Sequence, residues 1–520
     1  MLVQSGSGGL QDALNQITAL SYGEAGCPSC SGVDQLNSVT DAKSQQTSFS
    51  YDQLGRLVTA TDPLGLATTY SYGATKNPTT KTAPDTTSIS YTYDALQRLT
   101  QKTYPDATTA TYGYDNRGNL TSAANASVSY IYVYDAANRL TSATDSRGFT
   151  IDYQYDAAGN RTSMTLQPGT PDEQVIGYTY DNVNRLSGMT SPAGAFSLGY
   201  DLLNRRTSLG YPNGVSAGYS YDPNSGWLNG IDYQNLGVGV AYPQFDAVGN
   251  RLARSEDGTT TSYGYDATYQ LTQAKTGALE ENFTYDAVGN RESGPTVKDT
   301  PAAAYAHDAA NRMTQGRKFD YAYDARGNQT HRYLNATHTD YWQYTWDAEN
   351  QLTQAQLVTD GVTLRTLNFK YDPFGRRIEK QVVDTLSTTT TRYIHDREDI
   401  VLQLVDDGTT SVMSRYVHGP GTDEPLALVK NGQSYYYHAD GQGSVLALSD
   451  SSNSIIQRYK YDSFGALTAI QDTEFGNAYT YTGREWDREM GLYYYRARYY
   501  DPMEGRFISK DPIGFAGGGM

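Results

Sequence analysis

Cysteine, charge and long apolar runs are all scarce in this chain of 520 residues. Charged residues make up 19% of the chain, below the roughly 25% of an ordinary globular domain. No cluster of Lys and Arg could neutralise a row of phosphates, and the formal net charge is -17, so nucleic-acid binding by this portion is not expected. No stretch approaches the roughly 18 apolar residues that a membrane helix needs, so no membrane span is predicted.

The two cysteines, Cys27 and Cys30, form a single C-x-x-C motif. Such a motif can be a redox pair or half of a zinc site, but no second C-x-x-C follows and no βαβ pattern surrounds it. A tight loop, with or without a disulfide, is the favoured interpretation. Six dispersed histidines match no metal or nucleophile motif, so no metal, no cofactor and no conventional enzyme activity is predicted. These histidines are His307, His331, His338, His395, His418 and His438.

Glycine and tyrosine, in contrast, are abundant, at 50 and 47 residues. A mean hydropathy of -0.61 is typical of disorder, but disordered segments are poor in aromatic residues and this chain has 12%. We therefore expect folded β-strands.

A repeat centred on Tyr-Asp dominates the chain, with units mostly about 20 or 21 residues apart. Each unit reads aromatic-x-aromatic-Asp-x-x-(Gly/Asn)-(Arg/Asn), as in the segment from Tyr112 to Asn119. The Asp can start a type I turn, and a Gly or Asn three residues later tolerates positive φ, which together indicate a hairpin loop with a G1 bulge. The predicted turn pairs are Asp52 and Gly55, Asp115 and Gly118, Asp156 and Gly159, Asp246 and Gly249, Asp286 and Gly289, and Asp372 and Gly375.

The two aromatic residues of each unit, for example Tyr112 and Tyr114, lie two positions apart and so face the same side of a strand, where their rings can replace a Leu/Ile core. About sixteen such hairpins would make a very long sheet, and native sheet twist winds a long sheet into a spiral. The predicted fold is all-β, a long hairpin-repeat sheet wound into a hollow barrel or cocoon and capped by the C-terminal block. We predict a partly irregular N-terminal segment at 1–48, the repeat sheet at 49–390 and the block at 391–520.

The C-terminal block carries long motifs of its own. They include the segment from Tyr435 to Val445, the segment from Gly491 to Pro502, and Asp511-Pro-Ile-Gly514. On these motifs the block resembles the RHS repeat-associated core of bacterial RHS and WapA-type polymorphic toxins, also found in the C components of insecticidal Tc toxins. With the in-phase repeats, the resemblance covers nearly everything from Phe49 to Gly518.

This resemblance implies a shell that encloses a C-terminal toxin cargo, absent here, and helps to deliver it in interbacterial competition or insecticidal systems. The implied partners are that cargo and a component of a secretion or translocation apparatus, such as type VI secretion. Met1 to Gly9 do not match a Sec signal peptide. We therefore expect a protein that is secreted or displayed by a non-Sec route, or that is cytoplasmic before delivery.

The family core also resembles an aspartyl autoprotease, which would place Asp501, Arg506 and Asp511 in its catalytic site. Paired carboxylates can act as general acid and base when burial separates their pKa values. The favoured alternative is that the two aspartates, each before a proline, start turns and that Arg506 is a structural ion-pair partner. The family's cleavage segment is not present after Gly517-Gly-Gly-Met520, so we expect no completed autoproteolysis in this chain.

Adhesion is the alternative function, because teneurins, which are also YD-repeat proteins, use a similar barrel for cell-cell contact. Rows of Tyr and Trp could then stack on a surface glycan. Stacking of those rings on neighbouring strands explains their spacing more simply, which favours the container.

Overall fold

The computed structural model describes residues 3–4, 9–22, 35–294, 305–470 and 475–513. Cys27, Cys30 and the segment after Ile513 lie outside these residues. Among the described residues, the helical content is one short 3-10 turn, Tyr481–Gly483. Every other described element is a β-strand, and these strands form sheets of 27, 2, 16 and 4 strands in which neighbouring strands pair antiparallel. The prediction of an all-β fold built from long antiparallel hairpin sheets is confirmed.

The strands are numbered in chain order. Those up to residue 166 are β1 Val3–Gln4, β2 Gly9–Gln11, β3 Ile17–Tyr22, β4 Leu36–Thr40, β5 Gln46–Tyr51, β6 Leu57–Thr61, β7 Ala67–Tyr72, β8 Pro78–Thr82, β9 Ser88–Tyr93, β10 Leu99–Thr103, β11 Thr109–Tyr114, β12 Leu120–Ala124, β13 Ser129–Tyr134, β14 Leu140–Asp145, β15 Thr150–Tyr155 and β16 Arg161–Leu166. Those from 174 to 346 are β17 Gln174–Tyr180, β18 Leu186–Ser191, β19 Gly194–Tyr200, β20 Arg206–Gly210, β21 Ser216–Tyr221, β22 Leu228–Gln234, β23 Val238–Phe245, β24 Arg251–Glu256, β25 Thr259–Tyr265, β26 Leu271–Thr276, β27 Leu279–Asn282, β28 Thr284–Tyr285, β29 Arg291–Ser293, β30 Ala306–His307, β31 Met313–Gln315, β32 Asp320–Tyr323, β33 Gln329–Tyr333 and β34 Asp340–Trp346. The last are β35 Leu352–Thr359, β36 Val362–Tyr371, β37 Arg377–Asp384, β38 Thr388–Asp396, β39 Asp399–Asp406, β40 Ser411–His418, β41 Pro425–Lys430, β42 Gln433–Ala439, β43 Val445–Asp450, β44 Ile455–Tyr461, β45 Leu467–Ile470, β46 Glu485–Asp487, β47 Leu492–Tyr495, β48 Arg498–Asp501 and β49 Arg506–Phe507.

The hairpin of β13 and β14 shows how one repeat unit folds. Tyr132 lies opposite Ala143, Val133 opposite Ser142 and Tyr134 opposite Leu140, so the register shifts by one residue and Thr141 is the extra residue of a bulge. In the adjoining turn, Asn138 has a φ of 62°, a conformation that Asn and Gly adopt at low cost. The repeat spacing in the sequence is therefore the spacing of bulged hairpins.

Contacts divide the chain into two compact units. The first unit comprises Met1–Ala110, Ser262–Leu364 and Ile508–Met520, and the second comprises Thr111–Thr261 and Arg365–Phe507. This division follows contacts and not the type of repeat. The boundaries predicted at 48/49 and 390/391 therefore stay a prediction.

In the first unit, hydrogen bonds and ion pairs join segments about 240 residues apart. Lys102 Nζ lies 2.5 Å from Glu349 Oε1, across 247 residues, and the Tyr104 hydroxyl donates to Glu349 Oε2 at 2.7 Å, across 245. Lys43 Nζ lies 2.8 Å from Asp286 Oδ2, across 243 residues. The chain thus returns alongside itself after a nearly constant length.

The second unit contains similar contacts, which we call the second-unit seam. It joins residues 145–242, on one side, to residues 393–450, on the other. The Tyr153 hydroxyl donates to Asp396 Oδ1 at 2.9 Å, across 243 residues, and Arg161 forms an ion pair with the same carboxylate. Arg147 Nη1 donates to the carbonyl of Tyr393 across 246 residues. Buried apolar side chains of β15–β23 and β38–β43 fill the space between these polar contacts.

Candidate functional site: the repeat turns and the C-terminal block

The turn beginning at Asp52 shows the geometry of the predicted turn pairs. Asp52 Oδ1 accepts from the amides of Leu54 and Arg56, at 2.9 and 3.0 Å, and the Gly55 amide donates to the Asp52 carbonyl at 2.9 Å. Gly55 has a φ of 75°. Hydrogen bonds from the side chain and then the amide of Arg56 lower the pKa of Asp52. The other five predicted turn pairs have the same geometry. In each, the Asp carboxylate accepts from the amide four residues on and the Gly has a positive φ: Asp115 and Gly118, Asp156 and Gly159, Asp246 and Gly249, Asp286 and Gly289, and Asp372 and Gly375.

Each turn is also bound to the next hairpin. The Arg56 guanidinium bonds Asp52 Oδ2 at 2.6 Å and lies 4.5 Å above the centre of the Tyr72 ring in the following unit. The Tyr72 hydroxyl, in return, donates to the Leu57 carbonyl at 2.7 Å. Leu57 is the first residue of the preceding return strand, and the same bond is made by Tyr51, Tyr93, Tyr134, Tyr155, Tyr180, Tyr200, Tyr221, Tyr285, Tyr323 and Tyr461.

A link between consecutive turns, not anticipated from the sequence, involves asparagine pairs. The Asn119 side-chain amide bonds its own Asp115 at 2.8 Å and also the side chain of Asn138 in the next turn at 3.0 Å. The same pairing joins Asn160 to Asn184, Asn290 to Asn311 and Asn328 to Asn350. In each case a turn that contains Gly-Asn is followed by a turn with Asn at the left-handed position. This alternation is visible in the sequence and could have predicted the asparagine pairs.

The small sheet β46–β49 is attached to β37 of the second unit through a buried guanidinium. Arg377 is 1% exposed, and it forms ion pairs with Asp487 and, at 2.7 Å, with Glu485. Lys380 Nζ lies 2.9 Å from Asp487 Oδ1, and the Arg377 amide donates to the Tyr494 hydroxyl at 3.0 Å. Burial alone would raise the pKa of Asp487, but the two cations outweigh burial and lower it. Losing one member of such a buried group costs about 3 to 5 kcal/mol.

The structure places the three predicted autoprotease residues as follows. Asp501 is 2% exposed on β48, where it lies opposite Arg506 of β49 in the antiparallel register. Its Oδ1 accepts from the Met503 amide at 2.9 Å, the bond of a turn-starting aspartate. Asp511, in the first unit, is exposed, and its Oδ1 accepts from the Ile513 amide at 3.0 Å. Asp501 and Arg506 are thus cross-strand neighbours, and Asp511 is at the start of a separate turn.

In the described ranges, no group of three or more His, Cys, Asp or Glu side chains is arranged to hold a metal ion. None of the helices in the part of the chain that the structure describes is long and apolar enough to cross a membrane.

These features define an RHS/YD-repeat shell protein, and the family comparisons agree. The teneurin YD-shell model matches residues 245–516, just over half of the chain, and the RHS repeat model matches 32–67, 54–88, 74–109, 93–127 and 134–166. The chain belongs to the teneurin YD-shell family.

The individual relatives include a nuclease and a deaminase toxin. The tRNA3(Ser)-specific nuclease WapA of Bacillus spizizenii is 34% identical over 234 residues, which are 44% of this chain and 9% of that protein. The double-stranded DNA deaminase toxin A of Burkholderia cenocepacia is 25% identical over 390 residues, 67% of this chain and 25% of the relative. The chain therefore spans a small part of the relatives that it matches.

A solved structure shares the fold. A chain in the crystal structure of TcdB2-TccC3 matches 93% of this chain with a TM-score of 0.65 and 19% identity, over 30% of its own length. The crystal structure of TcdB2-TccC3 without its hypervariable C-terminal region gives a TM-score of 0.64 over 98% of this chain, again 30% of the other.

Proposed function

We propose that this chain is the shell of a toxin-delivery protein and that it encloses a C-terminal toxin before delivery. The observation that carries the proposal is the return of the chain alongside itself, after 243 to 247 residues at Lys43 and Lys102 in the first unit and after 206 to 246 residues at Tyr233 and Arg147 in the second-unit seam. We interpret these contacts as the junctions between successive turns of a wound sheet. Membership of the YD-shell family and the toxin relatives support the same function.

The proposed partners are a C-terminal toxin cargo and a component of a secretion or translocation apparatus. The route of export that we propose is independent of the Sec pathway. The nuclease and deaminase activities in the relatives' names belong to those proteins, so the chemistry of the cargo stays open to experiment.

The test is protection of a passenger. A tagged, unfolded passenger of about 100 residues, fused after Met520, should resist a protease that rapidly degrades the same passenger added as a separate polypeptide. The shell itself, followed by its own intact band, serves as the internal control. Equal rates of cleavage for the fused and the separate passenger would disprove enclosure.

Adhesion is the second candidate, favoured by the teneurin family match. Many motif tyrosines donate their hydroxyls to backbone carbonyls within the sheet. A ring outside this pattern, such as Tyr269, which is 48% exposed, is therefore the better candidate to contact a sugar. Glycan-array binding by the chain that is lost on Tyr269→Ala would support adhesion. Absence of binding at every glycan would rule against it.

Autoproteolysis by Asp501, Arg506 and Asp511 also stays a proposal, supported by the burial of Asp501 beside Arg506 on paired strands. It is tested in a polypeptide that includes the family's cleavage segment. Cleavage should be lost in Asp501→Asn and in Asp511→Asn, and kept in the control Asp450→Asn, at an aspartate that starts another turn. Cleavage that persists in both catalytic variants would exclude these residues.

A further inference from the structure

A histidine lies at the centre of the second-unit seam. His438, on β42, is 0% exposed, and its ring centre lies 5.0 Å from that of Tyr211 and 4.8 Å from that of Tyr233. These two tyrosines belong to the other side of the seam. They hold the residues on either side of His438, because the Tyr211 hydroxyl donates to the Tyr437 carbonyl at 2.9 Å and the Tyr233 hydroxyl to the Ala439 carbonyl at 2.8 Å.

The surroundings of His438 suit a neutral imidazole. Its Nε2 lies 2.8 Å from Ser449 Oγ, which also accepts from Asn213 at 3.0 Å, and its Nδ1 is buried without a hydrogen-bond partner. The nearest carboxylate in sequence, Asp440, accepts from the amides of its own turn and lies 3.4 Å from Arg254. A second ring proton would therefore be buried without an acceptor, which is costly.

We propose that His438 makes the second-unit seam an acid-sensitive closure, which holds at neutral pH and loosens when the imidazole becomes protonated. Burial lowers the pKa of His438 to about 3. The same imidazole, once exposed, has a pKa of about 6.5. Below that value the open seam binds a proton that the closed seam does not, so closure weakens as pH falls from about 6.5 toward 3. Between pH 7 and pH 5 the opening equilibrium should rise about 25-fold.

A second histidine of the seam acts in the same direction. His395, on β38, also has a buried Nδ1 without a partner, and the Arg147 side chain reaches from the other side of the seam to the Tyr393 carbonyl. Asp396, the next residue, is already bound to Tyr153 and Arg161. Burial, and then nearby cationic charge, lower the pKa of His395 well below its usual value. Four arginines supply that charge, and each also forms an ion pair: Arg376 with Asp372, Arg147 with Asp145, Arg377 with Asp487 and Glu485, and Arg496 with Asp423, Asp399 and Glu398.

The amide of Ala439 reports on the seam, because it donates to the Tyr233 hydroxyl at 2.8 Å. Hydrogen exchange of this amide, measured at pH 7 and pH 5 and corrected for the intrinsic exchange rate, should show a protection factor about 25-fold lower at pH 5. In His438→Gln, which keeps a polar group for Ser449, the fall should shrink to less than about 3-fold, because local opening at Ala439 on β42 leaves His395, four strands away on β38, buried. The control His338→Gln, at a histidine 45% exposed in the first unit, should keep the full fall.

An unchanged protection factor in the wild-type chain would overturn the inference without any variant. So would a full fall that persists in His438→Gln; if that variant does not fold, His438→Phe replaces it. The consequence for delivery, release of a passenger in an acidic compartment, rests on the proposed function. Exchange is measured on the chain without a passenger, so failure of the acid-sensitive closure and failure of enclosure give separate results.

Discussion

Replacing Arg377 with methionine should weaken the attachment of the β46–β49 sheet to β37 in the second unit. The change keeps much of the side-chain volume but leaves Asp487 and Glu485 buried, with Lys380 as their remaining cation. Breaking a buried ion pair on one side costs about 3 to 5 kcal/mol. We expect about 4 kcal/mol, which is roughly a thousand-fold in the unfolding equilibrium constant.

The measurement is a urea titration followed by tryptophan fluorescence, with hydrogen exchange of the β46–β48 amides as the local probe. The matched control is Arg365→Met, which removes a cation paired with Asp384 at 2.5 Å where both side chains are about one third exposed. Such a pair contributes about 0 to 1 kcal/mol. The double variant Arg377→Met with Asp487→Leu should recover part of the loss, because an apolar pair can replace a buried ionic one. Equal costs for Arg377→Met and Arg365→Met would refute the reasoning.

Three smaller predictions concern the turns. Gly118→Ala should lower the free energy of unfolding by about 1 to 2 kcal/mol in a urea titration. This cost is purely conformational, because the φ of Gly118 is 92° and no atom lies within 4 Å of the added Cβ. Gly465→Ala should cost more in the same titration, because its Cβ would meet the Tyr481 ring. Tyr134→Phe removes the hydroxyl bond to the Leu120 carbonyl and should cost about 0.5 to 1.5 kcal/mol, measured by thermal unfolding, and no loss would show that water replaces the bond. The lowered pKa of turn aspartates such as Asp52 predicts stability that is present above about pH 4 and lost as pH falls further, in a titration of urea midpoints; a midpoint constant from pH 5 to pH 2 would contradict it.

The turns could be predicted from the sequence because their physics is local. Asp52 and Gly55 interact within five residues, and a carboxylate followed by a residue that tolerates positive φ has few other stable arrangements. The same logic predicted the strand pairs on either side. The asparagine link from Asn119 to Asn138 needed one further step, a comparison of consecutive units.

The seam and the Arg377 cluster could not be predicted in this way. Tyr153 and Asp396 are 243 residues apart, and Arg377 and Asp487 are 110 apart. Their pairing depends on how far the sheet twists per strand, a small angle that accumulates over many strands and is not encoded in any single unit. His438 looked like one more dispersed histidine for the same reason, since its Tyr211 and Tyr233 neighbours come from a distant part of the chain.

The net charge of -17 says little about what a shell of this kind would hold. Turn aspartates contribute many of the carboxylates. Asp52, for example, accepts a hydrogen bond from the backbone of its own turn and forms an ion pair with Arg56, four residues on. This negative charge stabilises the hairpin turns and recurs once per unit, whatever the cargo. Complementarity to a passenger would instead have to come from the side chains that alternate with the aromatic rows. Most residues between two paired aromatics are neutral, such as Ser71 and Thr92, and Lys370 and Lys460 are the charged ones. A face of mostly neutral side chains offers few ionic contacts to any one passenger sequence, a property that suits the proposed enclosure of a cargo whose sequence can vary.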